Sequence, residues 1–177
     1  EFFSYACPHC SHLQPSLSAW LKRKPADLDF RRVPAAFQES ALPFARAYYT
    51  VEAMGLVDKL HHDIFAAIHD QRTLDPRLLL KDPKSLFDWV DAKGVARQKF
   101  IDTYQSFAVS SRTQRVMDVT RNYAIPFTPI LVIDGKYFIA PSMDGYASGS
   151  RIDYDLFFKG VDQMVAQARK ERAGTKR

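Results

Sequence analysis

The two cysteines of the chain stand in a single short run, Cys7-Pro8-His9-Cys10. A disulfide across two intervening residues closes a very short loop and takes little entropy from the unfolded chain, so stapling is a poor reason for the pair and reactivity a better one. A cysteine at the start of a helix is acidified by free backbone N–H groups and by the positive helix end. Cys7 is expected in that place. Cys10 is expected on the same side of the first turn but covered by the helix and a sheet, which pairs an exposed attacking or leaving sulfur with a buried resolving one. His9 lies between them, where an imidazolium would add positive charge near the Cys7 sulfur. The competing chemistry is half of a zinc site with His9 or His12 as further ligands; structural zinc takes four ligands and the chain has no second cysteine pair, so no metal is expected. His61, His62 and His69 fall on an amphipathic helical pattern and are expected to be surface or boundary residues, as is His12 on the outer part of the first helix.

The elements that must hold this pair are visible on either side of it. Phe2, Phe3 and Tyr5 fit the end of a buried strand. From Pro8 to about Lys22, His12, Leu13, Leu17, Trp20 and Leu21 recur at helical spacing. Pro8 falls near the first turn, where its missing N–H costs nothing, and Pro15 is expected to kink the helix. The segment from Leu28 to Val33 is a second candidate strand, so the opening is strand, helix, strand, with the two strands parallel. Helical periodicity then replaces strand signals: Leu42 to Met54; the face of Val57, Leu60, Ile64, Phe65 and Ile68; helix starts at Asp75-Pro76 and Asp82-Pro83; and apolar faces around Phe100 to Phe107 and Val116 to Tyr123. Strand character returns at Pro129 to Ile133, Asp134-Gly135 is a strong hairpin turn into Lys136 to Ile139, a loop with Gly145 and Gly149 follows, and Ile152 to Ala168 closes as a helix. The fold class is therefore α/β, with one mixed sheet interrupted by an all-helical insertion over 40–124 and the remaining domain split between 1–39 and 125–177.

Composition excludes several classes. The 177 residues are 46% hydrophobic and 25% charged, with 7 Gly and 10 Pro, an ordinary globular balance rather than a disordered, low-complexity or collagenous one. The formal charge of +5 is concentrated at the end, where Arg169, Lys170, Arg172, Lys176 and Arg177 face the single acid Glu171. A basic helix end suits the negative pole of the helix dipole, so no nucleic-acid partner is expected. No window approaches the roughly 20 consecutive apolar residues of a membrane span, and the opening Glu1-Phe2-Phe3 lacks the basic-then-apolar pattern of a signal peptide.

Taken together, Glu1-Phe2-Phe3-Ser4 before Cys7-Pro8-His9-Cys10, Phe127-Thr128-Pro129 before Ile130-Leu131-Val132, and Asp134-Gly135-Lys136-Tyr137 resemble the DsbA-type thiol:disulfide oxidoreductases of the bacterial periplasm. The resemblance covers nearly the whole chain. It implies a thioredoxin fold with an inserted helical domain, and a further N-terminal edge strand that this chain lacks. It implies an oxidase that donates the Cys7–Cys10 disulfide to exported proteins with free cysteines and needs no cofactor beyond that disulfide. Thr128 and a cis Pro129 would sit beside Cys7 and pair with an extended substrate segment; Pro8 and His9 would tune the Cys7 thiolate, and Glu1 resembles the family's buried acid beneath the disulfide, a proton relay for Cys10. The resemblance further implies a membrane quinone-linked reoxidase of the DsbB type, a periplasmic location, soluble or anchored, and a monomer. Two other functions use the same residues: a thiol reductase or isomerase of the same fold, and a non-catalytic peptide-binding module in which the dithiol is incidental.

Overall fold

The computed structural model describes residues 1–143, 145–148 and 151–175. Gly149, Lys176 and Arg177, named above for the closing loop and the basic tail, lie outside the described residues. Strand β1 (Phe2–Phe3) pairs in parallel with β2 (Val33–Pro34), Phe2 opposite Val33 and Phe3 opposite Pro34. Val33 and Ala35 donate their N–H groups to the carbonyls of Glu1 and Phe3, both at 2.7 Å. Pro34 lies between them with its missing donor on the other edge, so the ladder loses nothing to it. On its far side Phe2 exchanges two antiparallel backbone bonds with Ile130, at 2.8 and 3.1 Å. That bridge draws in the hairpin of β3 (Leu131–Ile133) and β4 (Tyr137–Ile139) and makes the sheet mixed. At its turn Asp134 and Gly135 both adopt positive φ, 56° and 68°, the mirror-image turn that matches strand twist.

One expected strand and one expected loop change. Of the candidate run Leu28 to Val33 only Val33 is in a strand, which instead continues into Pro34. The loop expected before the last helix carries a short antiparallel pair, β5 (Ala147–Ser148) and β6 (Arg151–Ile152).

Helix α1 (Pro8–Arg23) runs through Pro15 as one element, with Lys22 and Arg23 in its last turn favouring its negative end. Between β2 and β3 come α2 (Leu42–Ala53), α3 (Val57–His69), α4 (Pro76–Leu79), α5 (Lys84–Ala92), α6 (Arg97–Gln105), α7 (Phe107–Gln114) and α8 (Val116–Asn122). Asp75 caps α4 by accepting the Arg77 N–H. Asp82 binds the Lys84 N–H, but the cap position of α5 belongs to Pro83, so Asp82 sits one residue further out than expected. The chain closes with α9 (Tyr154–Thr175), longer than the periodicity predicts. The order is the expected one: a mixed sheet interrupted by a helical insertion. No described helix is long and apolar enough to cross a membrane.

Two faces of α1 are buried in different cores. Leu13, Leu17 and Trp20 pack with Leu131 and Ile139 of the hairpin and Phe157, Phe158 and Val161 of α9. Cys10 belongs instead to the core shared by Phe3, Tyr5 and the insertion's Leu60, Ile64, Phe65 and Phe100. Fully burying a side chain such as Phe3 contributes about 1.5–3 kcal/mol, and Phe3 has no exposure at all. The first turn of α1 is therefore clamped on one side by the insertion and on the other by the sheet and α9.

Candidate active site

Cys7 is the N-cap of α1, with extended backbone (φ −91°, ψ 114°), and its sulfur accepts the N–H of Cys10 at 3.4 Å. Pro8 follows at the first helical position, where its fixed φ starts the helix and its missing N–H leaves no orphan. The Cys7 sulfur is half-buried, whereas Cys10 has no exposure. Both are free thiols. The Thr128 carbonyl oxygen lies 3.4 Å from the Cys7 sulfur and accepts from its S–H when Cys7 is a thiol. The Thr128–Pro129 bond is cis, and Pro129 is buried where the chain turns into the hairpin.

Such a sulfur is readily ionised. The Cys10 thiol donates to it, and against the opposing effect of burial Thr128 and the backbone N–H groups of Cys10 and His9 add to this, bringing Cys7 down from 9.0 to about 5. Cys10 moves the other way: burial pushes its thiol far up, and its bond to Cys7 and the Cys7 charge push it further. The same turn thus holds a sulfur that is a thiolate at neutral pH and one that stays protonated. His9 reaches the Cys7 sulfur with its backbone N–H; its imidazole is exposed and stands edge-on to His12, ring centroids 6.3 Å apart.

Beneath the helix lies a polar cluster that sequence reasoning caught only at one end. The Glu1 side chain is fully buried, 3.3 Å from the Arg32 guanidinium, and burial raises its carboxyl above the usual range. Gln14, also buried, donates to Glu1 Oε1 at 2.8 Å and to the Cys10 carbonyl at 3.2 Å. Because both partners are acceptors, the orientation of the Gln14 amide is settled, and its Oε1 must accept. It accepts from His61 Nε2 at 3.2 Å, so the neutral ring presents Nδ1 as an acceptor to the Tyr5 hydroxyl at 3.0 Å. Burial, with the Arg32 and His62 charges, holds His61 well below its ordinary value and keeps it neutral.

His61 is a correction. It was expected at a surface or boundary and is 1% exposed, ringed by Phe3, Tyr5, Tyr48 and Phe65. The signal was present: position 61 falls in the stripe of Val57, Ile64 and Ile68 at helical spacing, so it faces inward. His69, half-buried, bonds the Tyr5 carbonyl at 2.8 Å, and exposed His62 bonds Ser18 at 2.8 Å. All three histidines of α3 reach across to the elements that carry Cys7 and Cys10.

No protein-family model matches the chain. Curated relatives do. The thiol:disulfide interchange protein DsbA of Burkholderia cepacia is 35% identical over 161 residues, 91% of this chain and 74% of that protein. The DsbA of Bordetella parapertussis is 35% identical over 170 residues, 96% of this chain and 76% of that one. Among solved structures, Pseudomonas aeruginosa DsbA superposes with a TM-score of 0.82 at 30% identity, covering 100% of this chain and 84% of its own. Xylella fastidiosa DsbA gives 0.81 at 28% identity, covering 96% and 84%.

Proposed function

Because the chain belongs to the DsbA family of thiol:disulfide oxidoreductases, which introduce disulfide bonds, we propose that Cys7 is its attacked and leaving sulfur and Cys10 its buried partner. The observation that carries this assignment is the placement of the two sulfurs in one helical turn: Cys7 is the half-buried N-cap, with the Cys10 N–H donating to it and Thr128 beside it, whereas Cys10 has no exposure. In the oxidised protein a substrate thiolate attacks Cys7 Sγ. The Cys7–Cys10 bond breaks, its electron pair passes to Cys10, and Cys10 takes up a proton because its buried site does not hold a charge. A second substrate thiolate then attacks the first substrate sulfur and expels Cys7 as a thiolate. Two electrons have moved from substrate to protein, the substrate has gained one disulfide, and of its two thiol protons one ends on Cys10 and the other in solvent. A low Cys7 pKa makes it a good leaving group and drives the exchange towards substrate oxidation.

Around this couple, the Thr128 carbonyl beside Cys7 is placed to accept an N–H from an extended substrate segment, with buried Pro129 fixing the loop that presents it. Pro8 and His9 tune the thiolate, the first by starting the helix, the second by its N–H and by the charge its ring can carry. Glu1, buried and joined through Gln14 to the Cys10 turn, is the proton source for Cys10. No other cofactor takes part. The clients are unfolded exported proteins with free cysteines, the setting is the periplasm, reoxidation comes from a membrane quinone-linked protein of the DsbB type, and the working form is a monomer.

The test mixes oxidised protein with a reduced, unfolded disulfide protein and follows substrate disulfides by mass. Stoichiometric transfer to the client, lost in Cys7→Ala, is the expected result. Net reduction of client disulfides by the dithiol form in glutathione buffers of periplasmic poise would overturn the oxidase direction.

A further inference from the structure

The hydrogen bonds beneath α1 form a chain in which every donor points the same way. Tyr5 O–H donates to His61 Nδ1, His61 Nε2–H to Gln14 Oε1, and Gln14 Nε2–H to Glu1 Oε1. Three of these groups come from the segment that carries the dithiol, Glu1 and Tyr5 on either side of β1 and Gln14 on α1; His61 alone comes from the insertion. We propose that His61 is a positioning residue of the exchange reaction: from the insertion it locks the Gln14 amide in the orientation that gives Glu1 a donor and ties it to the Cys10 carbonyl. This rests on the proposed role of Glu1.

The argument is one of satisfiable bonds. Gln14 can turn its amide over, but then Oε1 faces the Glu1 carboxylate and the Cys10 carbonyl, two acceptors without a donor. The proton on His61 Nε2 opposes the turn from the other side, because a turned amide would set its NH2 against it. The Tyr5 hydroxyl supports that tautomer by donating to Nδ1. Remove either and the Glu1 carboxylate loses a hydrogen bond that favours its charged form, so its carboxyl titrates higher. The charged and titratable groups facing this cluster come from every side: the Glu1 ammonium, bonded to the Arg31 carbonyl at 2.8 Å, and Arg32 ahead of β2 face the Glu1 carboxyl, Arg32 also faces His61, Tyr48 of α2 and His62 of α3 face the His61 ring, and Cys7 and Cys10 lie above at the start of α1. Arg32 is unchanged by the substitutions below, so its effect is common to all of them.

Glu1 is one of four glutamates, with Glu39, Glu52 and Glu171, so its carboxyl can be followed by carbon-13 NMR through a pH titration of the reduced protein. In Tyr5→Phe, which removes one oxygen and keeps the ring packing, and in His61→Phe, the Glu1 midpoint should rise by about one pH unit. In His61→Gln, whose amide can accept from Tyr5 and donate to Gln14, it should return towards the wild-type value. The limb of the disulfide-transfer rate that falls with rising pH, as Glu1 loses the proton it gives to Cys10, should move with the midpoint in each variant. A residue that merely fills space would change the stability of both redox forms and leave the midpoint where it is. An unmoved midpoint in folded Tyr5→Phe and His61→Phe overturns the proposal. If the wild type transfers no disulfide while the midpoints shift as described, the positioning stands and the oxidase reading falls; if transfer is normal and the midpoints do not move, the reverse holds.

Discussion

The mouth of the site and the floor beneath it are both polar clusters around one dithiol, yet they set opposite charge states. At the mouth, donors converge on a half-buried Cys7 sulfur and outweigh burial, giving a thiolate down to about pH 5. On the floor, burial dominates: Glu1 is raised, His61 is lowered, and Cys10 is kept protonated. The difference lies less in the residue types than in how many donors reach the atom before water is excluded. A helix N-terminus delivers amides to its cap position and to nothing one turn further in. Cys7 and Cys10 are three residues apart, and that spacing alone puts one on each side of the divide.

The contrast is most easily broken at the sulfurs. In the reduced protein at pH 6, iodoacetamide should label Cys7 and leave Cys10 unmodified, and Cys7→Ser should abolish both labelling and disulfide transfer. Cys10→Ser should keep the fast thiol and, given a disulfide-bonded substrate, accumulate mixed disulfides in which Cys7 has displaced one substrate sulfur as a thiolate, because no second protein sulfur can resolve them. Equal labelling of the two cysteines by mass spectrometry would erase the distinction.

The next largest effect separates the floor's acid from its cation. Arg32→Met leaves a fully buried carboxyl without its ion pair, and breaking such a pair costs about 3 kcal/mol. The sign with pH is specific. A carboxyl whose folded pKa lies above its unfolded value stabilises the fold below the unfolded pKa, 4.5, and that stabilisation is lost as pH rises through the raised value. Losing Arg32 raises it further, so the variant's deficit in urea unfolding should be largest at pH 7 and shrink by pH 5.

How much of this arrangement is legible in the sequence differs between the two regions. The mouth is legible because it is local: Cys7, Pro8, His9 and Cys10 are consecutive, and a helix start places them without help from the rest of the chain. Thr128 and Pro129 join it through the resemblance of their own short run. The floor is assembled from β1, α1, the approach to β2 and α3, so Gln14, Arg32, Tyr5 and His61 become partners only when the insertion docks. A histidine in an apolar stripe is ambiguous until the partner of its ring nitrogens is known, and Tyr5 lies 56 residues away from His61. The run Leu28 to Val33 misleads for the same reason: its apolar pattern is a strand's, but only its last residue has a neighbouring strand to pair with.

His61 lets the floor be tested from the acid side. Its folded pKa is well below 6.5, so the unfolded chain takes up a proton that the folded one refuses. It contributes stability that is present above 6.5 and lost as pH falls from there towards the folded value. Each pH unit in that window costs about 1.4 kcal/mol. His61→Phe should be less stable at pH 7, where Tyr5 and Gln14 lose their partner, and should lack this part of the acid slope. A slope identical to wild type in urea titrations at pH 5 and 7 would mean that His61 is not held neutral. This dependence runs opposite to that of Glu1, two bonds away in the same cluster.

The smallest expected effect is at the mouth, where His9 bonds the Cys7 sulfur with its backbone and leaves its ring in solvent. In His9→Ser the N–H survives and only the through-space influence of the imidazole is lost. An exposed ring acts through water, so its effect on the Cys7 thiolate should be about one pKa unit, in the direction of a weaker acid. One unit is about 1.4 kcal/mol, or about 30 mV in a two-electron couple, while Cys7 stays ionised at the working pH. The variant should therefore be a slightly weaker oxidant, with its oxidised form gaining stability relative to the reduced form by the same amount. Because the charge is exposed, the wild-type and variant potentials should converge as salt is raised towards 1 M, where the screening length falls to about 3 Å. Titration against glutathione buffers at low and high salt measures both quantities. An unchanged equilibrium constant at low salt would assign all of the thiolate's stability to the backbone, Thr128 and Cys10, and a shift that persists at high salt would place the imidazole in direct contact with the sulfur during exchange.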